Sequence, residues 1–257
     1  MQNTKTKNWV LLGIVGLSLL IFLFPPIAQD PSYHDFADAR LLAGIPNFMN
    51  VLSNFPFAII GLWGLYFCSF SENVLQWTHK LVFTLLFIGV FLISLGSAYY
   101  HYSPSNHTLV WDRLPMTVVF MSFFSFILMN YVGEQIGKLL LLPLLFIGVA
   151  SVWYWYYSEL NGEGDLRLYA WVQFFPALLI PAVLILFPSA RSFNRELGWI
   201  AIWYALAKVA EHYDTQVYDA LHYVSGHTLK HLAAAMSTYY MLVIAKHMGT
   251  KPVFSPK

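Results

Sequence analysis

Stretches of about 20 apolar residues recur along the whole chain, and a stretch of that length is long enough to cross a bilayer. We place eight of them, near residues 9–28, 48–70, 80–102, 109–132, 137–157, 167–188, 197–213 and 224–246. Lipid offers the backbone no hydrogen-bond partner, so a crossing must be a helix or a strand of a closed barrel. No segment alternates apolar and polar residues as a barrel strand does, which leaves helices. Composition agrees, with 58% hydrophobic and 11% charged residues against roughly 45–50% and 25% in soluble domains. The loops leave no room for a soluble domain, and neither low-complexity segments nor internal repeats are evident. A net charge of +1 gives no reason to expect nucleic acid as a partner. Cys68 is the single cysteine, which excludes an intrachain disulfide, and its apolar setting reads as packing.

The first stretch is open to two readings. Lys5 and Lys7 precede it as they would precede a signal peptide, but Pro25-Pro26-Ile27-Ala28 lacks a small-x-small cleavage pattern. We read it as a retained anchor. Eight crossings then put Lys5, Lys7, Lys80, Lys138, Arg191, Arg195, Lys246, Lys251 and Lys257 on one side. The other side carries Arg40 and Arg167 with Asp30, Asp35, Asp38, Glu159, Glu163 and Asp165. Basic loops stay in the cytosol, so both termini are expected there and the acidic face is periplasmic or lumenal.

Toward that acidic face the ends of four separate spans bring ionisable groups to one depth. Ser97 and His101 close the third span, Asp112 and Arg113 open the fourth, Lys208, Glu211, His212 and Asp214 end the seventh, and His227 and His231 begin the eighth. Ionisable groups are costly in a bilayer and tend to mark function there. His227 and His231, four apart, share one helix face. Such a pair is either two metal ligands or part of an interhelical hydrogen-bond network. With His101 it makes three histidines, the ligand set of a catalytic zinc site with one position open. Asp112 is then the candidate base and acid for a water, and Ser97 a donor to a developing oxyanion. The bland alternatives are a structural Ser-x3-His pair at a helix end, and an Asp112 that stabilises a helix start beside a snorkelling Arg113.

Ser97-x3-His101, Asp112 and His227-x3-His231, in that order and in those spans, resemble the alkaline ceramidase family, part of a wider group of seven-helix membrane hydrolases that includes the adiponectin receptors. The stretch Asp35-Phe36-Ala37-Asp38 through Asn47-Phe48-Met49-Asn50-Val51-Leu52-Ser53-Asn54 is also similar to the family's amino-terminal region. The resemblance implies an all-α integral membrane protein with a seven-helix hydrolase core at residues 31–247. One additional N-terminal transmembrane helix at 1–30 precedes it, and a short cytosolic tail at 248–257 follows. It implies a zinc-dependent amidase in which His101, His227 and His231 bind zinc with water in the fourth position. Asp112 activates that water, and Ser97 hydrogen-bonds the transition state. The expected substrate is a ceramide-like lipid entering from the bilayer and leaving as a sphingoid base and a fatty acid.

Eukaryotic members of that family also bind calcium, and Asp35, the Phe36 carbonyl, Asp38 and Asn47 fall at or near those positions. Arg40 stands where an asparagine ligand is expected and Asn47 where a glutamate is, so Arg40 neutralising the aspartates is the competing reading. Lys208 with Glu211 or His212 reads as an intrahelical pair, and a carboxylate near Asp219 and His222 is a candidate to orient a ligand histidine. Lys230 is placed on another helix face from the histidines. His107 is expected to be exposed, and His34, His79 and His247 to be uninvolved. Trp153 to Tyr157 reads as an interfacial belt.

Two other functions compete with the hydrolase. A lipid-responsive receptor or partner-binding protein would hold its zinc structurally, though little chain lies outside the bilayer to meet a partner. A transporter would continue its polar groups toward the cytosol, where Val82-Phe83-Thr84-Leu85-Leu86-Phe87 is apolar, and would show paired broken helices. The charge tally is directly testable: green fluorescent protein fused to the C-terminus should fluoresce in a bacterial host, while alkaline phosphatase fused there should be inactive. Active phosphatase would reverse the orientation.

Overall fold

The computed structural model describes residues 4–70, 75, 77–189 and 192–250. Arg191, Lys251 and Lys257 of the charge tally, and most of the expected tail, lie outside the described residues. Among these residues the regular structure is helical, with a single isolated bridge between Leu42 and Ile45. The helices are α1 (Thr4–Ser18), α2 (Phe48–Leu52), α3 (Phe55–Phe70), α4 (Trp77–Tyr102), α5 (Asn106–Ile127), α6 (Glu134–Leu160), α7 (Arg167–Leu186), α8 (Asn194–His212), α9 (Asp214–Leu221) and α10 (Gly226–Thr250). A π turn, Leu128–Val132, prolongs α5.

Five stretches are long and apolar enough to cross a membrane: Phe48–Phe70, Trp77–Tyr102, Asn106–Val132, Glu134–Leu160 and Arg167–Leu186. They coincide with five of the eight expected spans, some lengthened by a turn. The other three fall short for visible reasons. α8 carries Arg195, Glu196, Lys208 and Glu211, and α10 carries Lys230 and Lys246 beside its histidines. The first expected span stops early. α1 gives way to a 3-10 turn, Leu19–Leu23, and Phe24 is extended (φ −79°, ψ 157°). Pro25 clashes with a helical residue before it, which forces Phe24 out.

The chain groups into two compact units. One comprises Met1–Pro31 with Thr117–Ser192, the other Ser32–Met116 with Phe193–Lys257. In the first unit α6 packs on α7, and α1 lies along α7. Its polar anchor is the loop before α7, where Arg167 makes a two-pronged contact with Asp165 at 2.8 and 2.7 Å and Tyr154 donates to the same carboxylate. Those Arg167 hydrogen bonds hold the buried Asp165 carboxyl down to about 2. Arg167 also donates to the carbonyls of Phe22 and Phe24, exposed backbone groups left over where the first helix ends.

The second unit holds every candidate site residue. α3 lies along α4, α8 along α10, and the short α2 contacts both α4 and α10. A Cβ on Gly61 would meet the backbone of Phe91, which is how closely α3 and α4 approach. The tightest approach is made by Gly96, whose missing side chain accommodates the carbonyl of Trp111 in α5. That carbonyl is available because Pro115, inside α5, has no N–H to return to the residue four before it. The result sets Ser97 against Asp112.

Gly96→Val therefore forces backbone away from backbone and should destabilise the protein by roughly 1–3 kcal/mol, the usual cost of overpacking. The thermal midpoint in detergent, compared with Gly13→Ala where nothing lies within 4 Å, measures it. An unchanged midpoint for Gly96→Val would refute the close approach.

Candidate metal centre

His101 enters from the last turn of α4, and His227 and His231 enter from the first two turns of α10. All three are buried, at 1%, 5% and 4% exposure. Their Nε2 atoms converge: His101 lies 3.2 Å from His231 and 3.3 Å from His227. One ligand atom from each fits within 4.8 Å of the others. Tetrahedral zinc with Zn–N near 2.0–2.1 Å separates its nitrogens by about 3.3–3.4 Å, so the two closest pairs sit at coordination spacing.

Proton counting is compatible with that spacing. Ser53 Oγ lies 3.1 Å from the Asn50 carbonyl and 2.7 Å from His231 Nδ1. With its single proton given to that carbonyl, Ser53 accepts Nδ1–H of His231, which leaves a lone pair on His231 Nε2. His227 Nε2 faces the Lys230 ammonium at 3.4 Å, a group that can only donate, so it too offers a lone pair. Between them stands one His101 Nε2, which can carry one proton. A hydrogen-bonded cluster can satisfy it, with Lys230 donating to His227 and His101 to His231, and a cation accepting three lone pairs satisfies it equally.

The support behind the ligands comes from buried and half-buried polar groups around them. Asp214 Oδ1 accepts the backbone N–H of His227 at 2.7 Å, and its Oδ2 accepts Ala37 N–H at 3.1 Å. One carboxylate thereby caps α10 and ties down the loop before α2. A Cβ on Gly226 would strike Ala210 and Asp214, so only glycine lets α10 start there. Asn50 Oδ1 accepts from Thr228 at 3.0 Å and Ser225 at 3.4 Å. Asn47, in the left-handed region at φ 48°, donates to the His101 carbonyl at 2.8 Å. His101 Nδ1 is buried with no hydrogen-bond partner, so His101 is held through its backbone. The Phe36 ring packs edge-on against His101 and His227, with centroids at 4.6 and 4.8 Å.

Asp112 and Ser97 are buried beside this centre, and the Ser97 hydroxyl hydrogen-bonds the Asp112 carboxyl. Ser97 therefore orients Asp112 in this conformation, where the sequence suggested a donor to substrate. Arg113 does not snorkel. It is 5% exposed, with its guanidinium 5.7 Å from the Tyr33 ring centroid.

Of the calcium candidates, Asp38 is wholly buried and meets Arg40 at 2.7 Å through both carboxylate oxygens. Those hydrogen bonds raise the Arg40 guanidinium further above its ordinary range. Asp35 is exposed, and Asn47 donates its amide N–H to the His101 carbonyl. The positive charge at Asp38 is thus Arg40.

Several groups escaped the sequence reading. Ser53, which meets His231 Nδ1, is one, whereas the carboxylate expected in the stretch before α10 is found in Asp214, at the His227 backbone. Asp219 and His222 are exposed. His34 bridges Tyr100 Oη at 2.9 Å and Asn106 Oδ1 at 3.0 Å, pinning the turn at Pro31–His34 between α4 and α5. Lys230 is not turned away. It sits three residues after His227, reaches that ring, and pairs with Glu211 at 2.6 Å. Lys208 meets the same carboxylate at 2.7 Å, as its i, i+3 spacing predicts. His107 is exposed, as expected.

No protein-family model matches the chain, and no curated protein matches it significantly.

Ser53→Ala removes the acceptor for His231 Nδ1–H without touching a ligand atom. Metal affinity, read by competition with a chelator, should fall about 10–100-fold. Equal affinity in the variant would show that Ser53 does not orient His231.

Proposed function

We propose that this chain is an integral-membrane, zinc-dependent hydrolase that cleaves the amide of ceramide-like lipids to a sphingoid base and a fatty acid. The observation that carries the reading is the meeting of three buried Nε2 atoms, 3.2 and 3.3 Å apart in the two closest pairs, beside a buried carboxyl held by Ser97. His101, His227 and His231 would hold a zinc ion, which would lower the pKa of a water to about 7 and so make hydroxide available at neutral pH. Asp112 takes the water's proton as the amide carbon is attacked and returns it to the departing amine nitrogen. Ser97 fixes the carboxylate for both transfers. Phe36, over two of the imidazoles, shields the centre from bulk water. The lipid class rests on the ordered set Ser97, His101, Asp112, His227 and His231. The apolar helices around that set suit a substrate arriving from the bilayer. In this reading the termini are cytosolic and the centre opens toward the periplasmic or lumenal face. The reading assigns no step to calcium, and Asp38 is paired with Arg40.

The test is zinc content and ceramide hydrolysis on protein purified in detergent. Wild type should carry stoichiometric zinc and release fatty acid. His231→Ala should lose both, while Asp112→Asn should keep its zinc and lose about 10²–10⁴-fold in kcat. Full activity in His231→Ala would sink the proposal. Zinc without turnover in wild type would favour the receptor reading, in which the ion is structural.

A further inference from the structure

Phe36 is the layer between two of the histidines and the exterior. Its half-buried ring rests edge-on against His101 and His227, which are themselves buried. Residues 35–40, which carry it, are irregular backbone, so the position of the ring depends on what pins the segment. Before it, His34 is held by Tyr100 Oη and Asn106 Oδ1 at 2.9 and 3.0 Å. In the middle, Asp214 accepts Ala37 N–H at 3.1 Å, and Asn50 reaches the Asp38 carbonyl at a long 3.5 Å. At the far end Arg40 meets both oxygens of Asp38 and donates to the Tyr223 carbonyl at 2.8 Å. Its Cζ also lies 5.7 and 5.9 Å from the ring centroids of Tyr218 and Tyr223. Tyr218 belongs to α9, and Tyr223 follows it.

The two ends differ in how firmly they hold. His34 rests on Tyr100, which is 1% exposed, whereas the Arg40 side chain is 30% exposed and Tyr223 stands in the open. Cation–π contacts at exposed positions are weak, and segments held by few such contacts open locally while the rest of the fold stands. The Arg40–Asp38 pair lies within the segment, so it can travel intact. Opening then breaks the contacts to Tyr218 and Tyr223 without leaving the Asp38 carboxylate unpaired.

We propose that residues 35–40 form a strap with Phe36 as its plug, latched to α9 by Arg40, and that release of the latch lets a metal ion enter and leave the three-histidine centre. This rests on the metal-dependent reading above, of which it needs only that a divalent cation binds His101, His227 and His231. Entry and exit use the same opening. A weaker latch therefore speeds both by one factor and leaves the affinity unchanged. A fixed wall that merely supports the ligands behaves otherwise, because weakening it speeds loss alone and lowers affinity.

The experiment uses full-length protein in detergent with Co2+, whose visible spectrum reports its ligands. Loss is timed on mixing loaded protein with EDTA, at concentrations where the rate no longer depends on EDTA. Uptake is timed on mixing metal-free protein with Co2+. Tyr218→Leu combined with Tyr223→Leu removes both rings that face Arg40 and keeps its pair with Asp38. Both rates should rise about tenfold, the weight of two exposed cation–π contacts, with their ratio unchanged. Phe36→Ala, which removes the plug, should raise both as well. Arg40→Ala should do the same, but it strips a buried carboxylate of its partner, so the tyrosine variant keeps the latch testable if that chain does not fold. Unchanged rates in the tyrosine variant would overturn the latch, and so would faster loss without faster uptake. Failure of the wild type to take up Co2+ would overturn the latch and the metal-dependent reading together.

Discussion

A ring nitrogen buried among apolar helices has no water to turn to, so the chain must supply its partner or strand it. At His231 Nδ1 the partner is Ser53, and behind Ser53 stands the Asn50 carbonyl. That arrangement fixes which nitrogen of His231 faces inward bare. At His227 the backbone N–H goes to Asp214 and the ring faces Lys230. The protons left to the inner triangle are one on His101 and those of the Lys230 ammonium. The surrounding polar residues therefore turn the His227 and His231 lone pairs inward, where a proton donor or a cation can take them.

Holding that triangle depends on how α4, α5 and α10 begin and end. A carbonyl freed by Pro115 is received at Gly96, and this brings Asp112 under Ser97. Gly226 allows α10 to start against the end of α8, which delivers both histidines and places Lys230 beside Glu211. The loop before α2 is drawn in by Asp214 at Ala37 and by Arg40 at Asp38, so that Phe36 can cover two imidazoles. Backbone packing set by two glycines thus decides the position of charge.

Helices were legible in the sequence because lipid-compatible segments have one backbone solution, and five stretches match in place and length. Less legible was where α1 stops, because an apolar run conceals the veto of Pro25 on Phe24. The histidine set could be read because i, i+4 spacing defines a face and polar groups at span ends are rare. Lys230 was misread although i, i+3 spacing from His227 puts it on a neighbouring face. Its long stem let it reach back to the ring once Glu211 drew it inward. Ser53 gave no signal of its own, since a hydroxyl 178 residues away in sequence finds its imidazole only through tertiary packing.

Whether such a centre would build structure or do chemistry turns on its fourth position. Structural zinc sites close with four protein ligands, and catalytic ones leave one for water or substrate. Among the described residues three histidines make up the group, and the buried carboxyl of Asp112 is bound to Ser97. A carboxyl meant to complete the shell would be better left without that tether. A carboxyl meant to move a proton is better with it, because the hydroxyl fixes its orientation yet adds no charge. Lys230 on another side would be a liability to a closed structural site, adding repulsion to an ion already satisfied.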